Sequence, residues 1–180
     1  MNLILLESVP FDGLGQLLPS QLATLYDQRR PATPTQFRFA EIVDAAFAGQ
    51  DQAQLVALSG WVDAPLPWIP AAVTRWLQER PDPGTGRGRL EQLALAAIRD
   101  GCETPARIFA AVAAMDTHPQ YWGDITLWAK INALADRQPP LVRIDGPAER
   151  LPQWPGKADL ARFRITSLPA SDTGDAGRRA

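Results

Sequence analysis

A mainly α fold follows from three observations on this 180-residue chain. Most of it carries apolar residues at helical spacing behind identifiable start signals. Glycine and proline interrupt that periodicity rather than pervade it. Only two clearly alternating stretches occur, both late in the chain, and they follow three helix patterns in the order of a winged helix with a two-stranded wing. The expected organisation is a small helical region over 1–80 with one short strand, a linker over 81–88, a winged helix-turn-helix over 89–166 and a disordered tail over 167–180.

Residues 2–7 read as a strand, because Leu3-Ile4-Leu5-Leu6 is the short continuous apolar run of a strand buried on both faces. No second strand is evident before Leu141, so its partner is expected in a larger sheet or at the far end of the chain. Residues 19–28 form a short helix with Leu22, Leu25 and Tyr26 on one face. Thr33-Pro34-Thr35-Gln36 opens the next: Thr33 is the cap, Pro34 fits the first turn and Gln36 closes a capping box. That helix runs to about Ala48, with Phe39, Ile42, Val43, Ala46 and Phe47 on its apolar arc, and Gly49 ends it. Asp51 caps a helix carrying Leu55, Val56 and Leu58. A fourth, over 67–80, places Trp68 and Trp76 facing one way, either into a core or toward a partner.

Three glycines and two prolines in Pro81-Asp82-Pro83-Gly84-Thr85-Gly86-Arg87-Gly88 break the periodicity, so this stretch reads as a flexible linker. It is no phosphate loop: no strand precedes it, and neither Gly-Lys-Ser nor Gly-Lys-Thr follows. Beyond it, residues 89–100 form a helix closed by Gly101, Thr104-Pro105 starts another reaching Met115, and Asp124 caps a third over 125–136. On this last helix Leu127, Trp128, Ile131, Leu134 and Ala135 gather on one side, with Thr126, Ala129, Lys130, Ala133 and Arg137 opposite. Residues 141–145 and 160–166 then alternate as half-exposed strands do, with Arg143, Arg162 and Arg164 outward. The connection 146–159 is too long for a tight hairpin, and its tip should be mobile.

The run Phe11-Asp12-Gly13-Leu14-Gly15-Gln16-Leu17, the Arg30-Pro31-Ala32-Thr33 helix start, the helix around Glu91, the Tyr121-Trp122-Gly123-Asp124 turn and the 140–146 strand together resemble the C-terminal part of a bacterial family known as domain of unknown function 1835. The resemblance covers roughly residues 3–166. It implies that Leu3 to Glu7 correspond to the last strand of an N-terminal α/β domain otherwise missing here. It also implies a weaker start to the helix after the linker, where Gly88 replaces a capping Ser. The family brings no activity to carry over.

Charge and residue chemistry narrow the function. Net charge is −2 with a pI near 5.4, so any attraction to nucleic acid must come from a local patch. Residues 1–85 hold five Lys+Arg against nine Asp+Glu, and 86–180 hold thirteen against eleven. Within 137–166, Arg137, Arg143, Arg150, Lys157, Arg162 and Arg164 outnumber the acids by three. Cys102 is the single cysteine and His118 the single histidine, so neither an intrachain disulfide nor a thiolate metal cluster can form, and no catalytic dyad is spaced. The carboxylates show no metal or paired-acid spacing, and no cofactor is expected. No apolar run approaches the ~18 residues of a membrane span, and no signal segment is recognisable, which points to a soluble, cytoplasmic, non-enzymatic protein.

The leading expectation is duplex DNA binding, with Thr126 and Lys130 facing the groove and Arg137, Arg143, Arg162 and Arg164 on phosphates. The alternative is a protein-interaction module, binding a partner or a second copy through Trp68 or Trp154. An exposed apolar patch containing either tryptophan favours docking. A continuous positive surface across the third helix and wing favours nucleic acid.

Overall fold

The computed structural model describes residues 17–154 and 159–169 together with the backbone of residues 2 and 3. It is mainly α, with seven α-helices among the described residues and two small antiparallel strand pairs. The chain divides into two compact units: Met1–Arg80 with Thr117–Tyr121, and Pro81–Asp116 with Trp122–Ala180.

In the first unit β1 (Asn2–Leu3) pairs with β2 (Arg30–Pro31), in the register Asn2↔Pro31 and Leu3↔Arg30. Among the described residues the partner of the opening strand is therefore β2 and not the far end of the chain. It escaped notice because two residues, one of them a proline, carry no periodicity. The expected continuation of that strand over 4–7 lies outside the described residues.

Four helices follow: α1 (Pro19–Asp27), α2 (Pro34–Ala48), α3 (Gln52–Ser59) and α4 (Ile69–Leu77). The α2 start is the capping box that its residues spell: Thr33 Oγ1 accepts from Gln36 N at 3.2 Å and Gln36 Oε1 from Thr33 N at 2.9 Å. The same Gln36 side chain donates to Pro65 O at 3.3 Å, tying the helix start to the segment before α4. α2 ends at Gly49 as expected, though not through a left-handed glycine. Gly49 is right-handed, and Gln50 takes the left-handed position with φ 51°, while Asp51 N reaches back to Ala46 O at 2.9 Å. Asp51 caps α3, its carboxylate accepting from Gln54 N at 3.0 Å.

The core of this unit is small: Phe39, Ala46, Leu55, Leu58, Leu66 and Val73 are buried together. Several residues expected inside are not. Leu22, Tyr26, Ile42 and Val56 are exposed, because the elements packed around them do not cover the whole apolar arc that helical periodicity marks out. The fourth helix is shorter than the expected 67–80, and it buries Val73 and, unexpectedly, Arg75, whose guanidinium meets Glu79 at 2.6 Å.

The second unit contains α5 (Arg89–Arg99), α6 (Pro105–Met115), α7 (Asp124–Ala135), β3 (Val142–Asp145), a 3-10 turn (Leu160–Arg162) and β4 (Arg164–Ser167). Strands β3 and β4 pair antiparallel, with Arg143 opposite Thr166 and Asp145 opposite Arg164. Ile165 N donates to Glu103 O at 2.7 Å, so the segment between α5 and α6 lies along the other edge of β4. The expected second wing strand is thus shortened from its start, and Arg162 sits on the 3-10 turn rather than on a strand.

Gly101 ends α5 as expected. With φ 85° it lets Cys102 N reach Ala97 O at 3.0 Å and its own N–H reach Ile98 O at 3.1 Å, the two bonds of a Schellman motif. Leu95 and Ile98 of α5, Ile108 and Val112 of α6 and Leu127, Ile131 and Leu134 of α7 then bury against Val142, Phe163 and Ile165 of the strand region. Phe109 stands edge-on to Trp122, with ring centroids 5.3 Å apart. Trp128, expected on the apolar arc, is buried here.

Two loops hold hydrogen bonds that composition does not announce. Residues 81–88, expected as a linker, fall at the start of the second unit and form a hydrogen-bonded turn: Asp82 N donates to Arg87 O at 3.0 Å and Gly86 N to Asp82 O at 2.7 Å. The Asp82 carboxylate also accepts from Gly84 N and Thr85 N, at 3.1 and 2.8 Å. The bonds from the Thr85 amide and hydroxyl hold its pKa below the ordinary carboxylate value. The connection between β3 and β4 is tied down part-way, at Leu151, by Asn132. Residues 155–158 of that connection, and residues 170–180 of the tail, lie outside the described residues.

At the foot of this connection Gly146 lies against Phe163. A Cβ built there would stand 2.6 Å from Phe163 Cδ1, and the ring is buried in the core with no room to swing. Gly146→Ala should therefore destabilise the second unit by about 1–3 kcal/mol. Urea unfolding checks this, and an unchanged midpoint would show that strand β3 can shift to accept the methyl.

Candidate functional site

Helix α7 is the element that would enter a groove. Its start differs from the expected one: Gly123 is the N-cap and gives no side-chain cap, while Asp124 is the first helical residue, its Oδ1 accepting only from the adjacent Ile125 N at 2.7 Å. A carboxylate in the first turn suits the positive end of the helix dipole. It also places negative charge where a recognition helix would approach phosphate.

The outward side of α7 carries Asp124, Ile125, Thr126, Ala129 and Asp136, all exposed, with Lys130 half-buried. Asp136, just past the helix, is held by Arg150, whose Nη2 reaches both carboxylate oxygens at 2.8 and 2.7 Å. This face presents a carboxylate at each end and no row of cations.

The six residues expected to contact nucleic acid separate into three groups. Thr126 and Lys130 share α7. Arg137 is engaged inside the unit, donating to Gly86 O and pairing with the buried Glu91 at 3.1 Å. Arg143, Arg162 and Arg164 lie together on the strand pair and its leading turn, all exposed. Arg143 faces Asp145 at 2.8 Å, and Arg164 Nη1 caps the 3-10 turn through Ala161 O at 2.8 Å and Phe163 O at 2.9 Å. Three of the expected arginines thus lie on the β3–β4 strand pair and its leading turn, with Asp145 beside Arg143, while Arg137 is engaged within the unit.

The tryptophans expected to mark an interface are in solvent. Trp154 is 79% exposed in the connection between β3 and β4, Trp68 36% exposed at the start of α4 and Trp76 42% exposed two turns later. Trp76 packs edge-on against Phe47, centroids 5.0 Å apart, which fixes its ring while leaving the outer edge bare. Of the fourteen large apolar side chains exposed among the described residues, eleven belong to the first unit. That imbalance sits on the unit with the smaller core.

Sequence reasoning missed the polar residues that shape the second unit. Asp116 is buried, accepting from Arg89 Nε at 2.8 Å on one oxygen and from Trp122 Nε1 at 2.7 Å on the other. It thereby closes the two ends of the 117–121 loop on each other. Asn132 is buried as well, its amide making paired bonds of 2.9 Å with Leu151 O and Leu151 N. The signal for Asn132 was present: four residues after Trp128, it falls on the apolar side of α7, where a polar side chain needs a partner.

Among the described residues no three His, Cys, Asp or Glu side chains gather where they could hold a metal ion. No helix among them is long and apolar enough to cross a membrane. Compared with known proteins, the chain matches no family model, no curated protein and no solved structure.

Proposed function

We propose that this chain is a non-catalytic, cytoplasmic protein-docking module, and that the first unit presents the docking surface. The observation that carries the reading is a pair of exposed tryptophans, one at the cap of α4 and one near its end. Trp68, the residue that caps α4, and Trp76, in its last turn, both keep more than a third of their surface in water. Tryptophan supplies much of the energy of a protein interface when a partner removes that surface from water, and its cost in lost conformational freedom is small. The second unit is read as a winged helix serving as scaffold: three helices and a strand pair, with residue 103 bonded to the far edge of β4 in place of a third strand.

The test compares the wild type with Trp68→Ser, Trp76→Ser and the double variant. Proteins retained from a lysate are identified, then re-measured with purified components beside sedimentation of the chain alone. A partner, or a second copy, should bind the double variant at least about tenfold more weakly, as expected for loss of interface hot spots of about 2 kcal/mol. Melting curves establish that each variant is folded. Equal binding by wild type and double variant would overturn the assignment of this surface.

Duplex nucleic acid is the second reading, favoured by Arg143, Arg162 and Arg164 on one wing. Lys130 of α7 is the further cation it uses. With roughly three to five phosphate contacts, log K should fall against log salt with a slope of about −3 to −4.5. Arg162→Ala with Arg164→Ala should make the slope shallower by about 1 to 2, and Thr126→Ala should leave it unchanged. Absence of binding to mixed-sequence duplex at low salt by the folded protein removes this reading and leaves the docking module.

A further inference from the structure

We draw no further inference here: the strongest candidate, the cluster of Arg87, Arg89 and Arg137 around the start of α5, where Gly88 provides no side-chain cap, rests on a helix N-terminus with no second observation pointing to a ligand, since Asp116 and Glu91 already engage Arg89 and Arg137 and the Asp82 carboxylate already occupies the turn amides.

Discussion

Asp116→Ala is expected to cost the second unit about 3 kcal/mol, the low end of what removing one partner of a buried ion pair costs. The Asp116 side chain is only 2% exposed, and both its oxygens are engaged, one by Arg89 and the other by the Trp122 indole. Truncation leaves the indole N–H facing a dry hole, where an unmade hydrogen bond costs about 1–3 kcal/mol. It also strips Arg89 of its counter-charge. That guanidinium is 32% exposed and can turn toward water, which is why the upper end of the range does not apply. Asp116→Asn should cost less than Ala, because it keeps one acceptor oxygen for either donor while its amide group opposes the other. Combining Asp116→Ala with Arg89→Met should recover part of the loss, since the double variant strands no charge. The check is urea unfolding followed by circular dichroism, and for a unit of this size each kcal/mol moves the melting midpoint by about 4–8 °C. A loss under about 1 kcal/mol would mean that water or a neighbouring acceptor replaces the carboxylate without strain.

The same residue shows where sequence reasoning stops. Local signals were readable because their donors and acceptors lie within one turn: Thr33 with Gln36, Asp51 with Gln54, and Gly101 at the left-handed end of α5. Asp124 misled because an acidic residue is equally at home at the cap and in the first turn, and Gly123 had no side chain to announce itself. Partner choice across long separations was not readable at all. Nothing near Arg137 points to Glu91, forty-six residues away, yet that pairing engages an arginine of the expected phosphate set. Likewise the spacing of Trp68 and Trp76 suggests a shared face, although Trp68 falls on the cap of α4. Whether that face is covered depends on which other elements pack there, and helical periodicity carries no information about neighbours. The bonds within 81–88 were unreadable for a related reason: composition marks the stretch as unsuited to helix or strand, but Asp82 alone supplies acceptors for two of its amides.

Asn132→Leu should destabilise the second unit by about 2–4 kcal/mol, the cost of stranding two buried backbone groups together. The substitution is close in volume and more apolar, so a simple burial argument expects it to be neutral or favourable. The paired bonds to Leu151 decide otherwise, because Leu151 is 1% exposed and both its N–H and its C=O would then lie buried without the amide that satisfies them. Asn132→Asp separates the two bonds: the carboxylate can still accept from Leu151 N, but it faces Leu151 O with no donor and brings a charge into the core, so it should cost at least as much as Leu. Amide hydrogen exchange locates the damage. In the wild type the Leu151 amide should exchange as slowly as the core amides of α7. In Asn132→Leu it should exchange much faster than Ile131, because the connection between β3 and β4 opens locally before the helices do. Unchanged protection at Leu151 in that variant would show that the Leu151 side chain alone, seated in the core, is enough to hold the connection that carries Trp154.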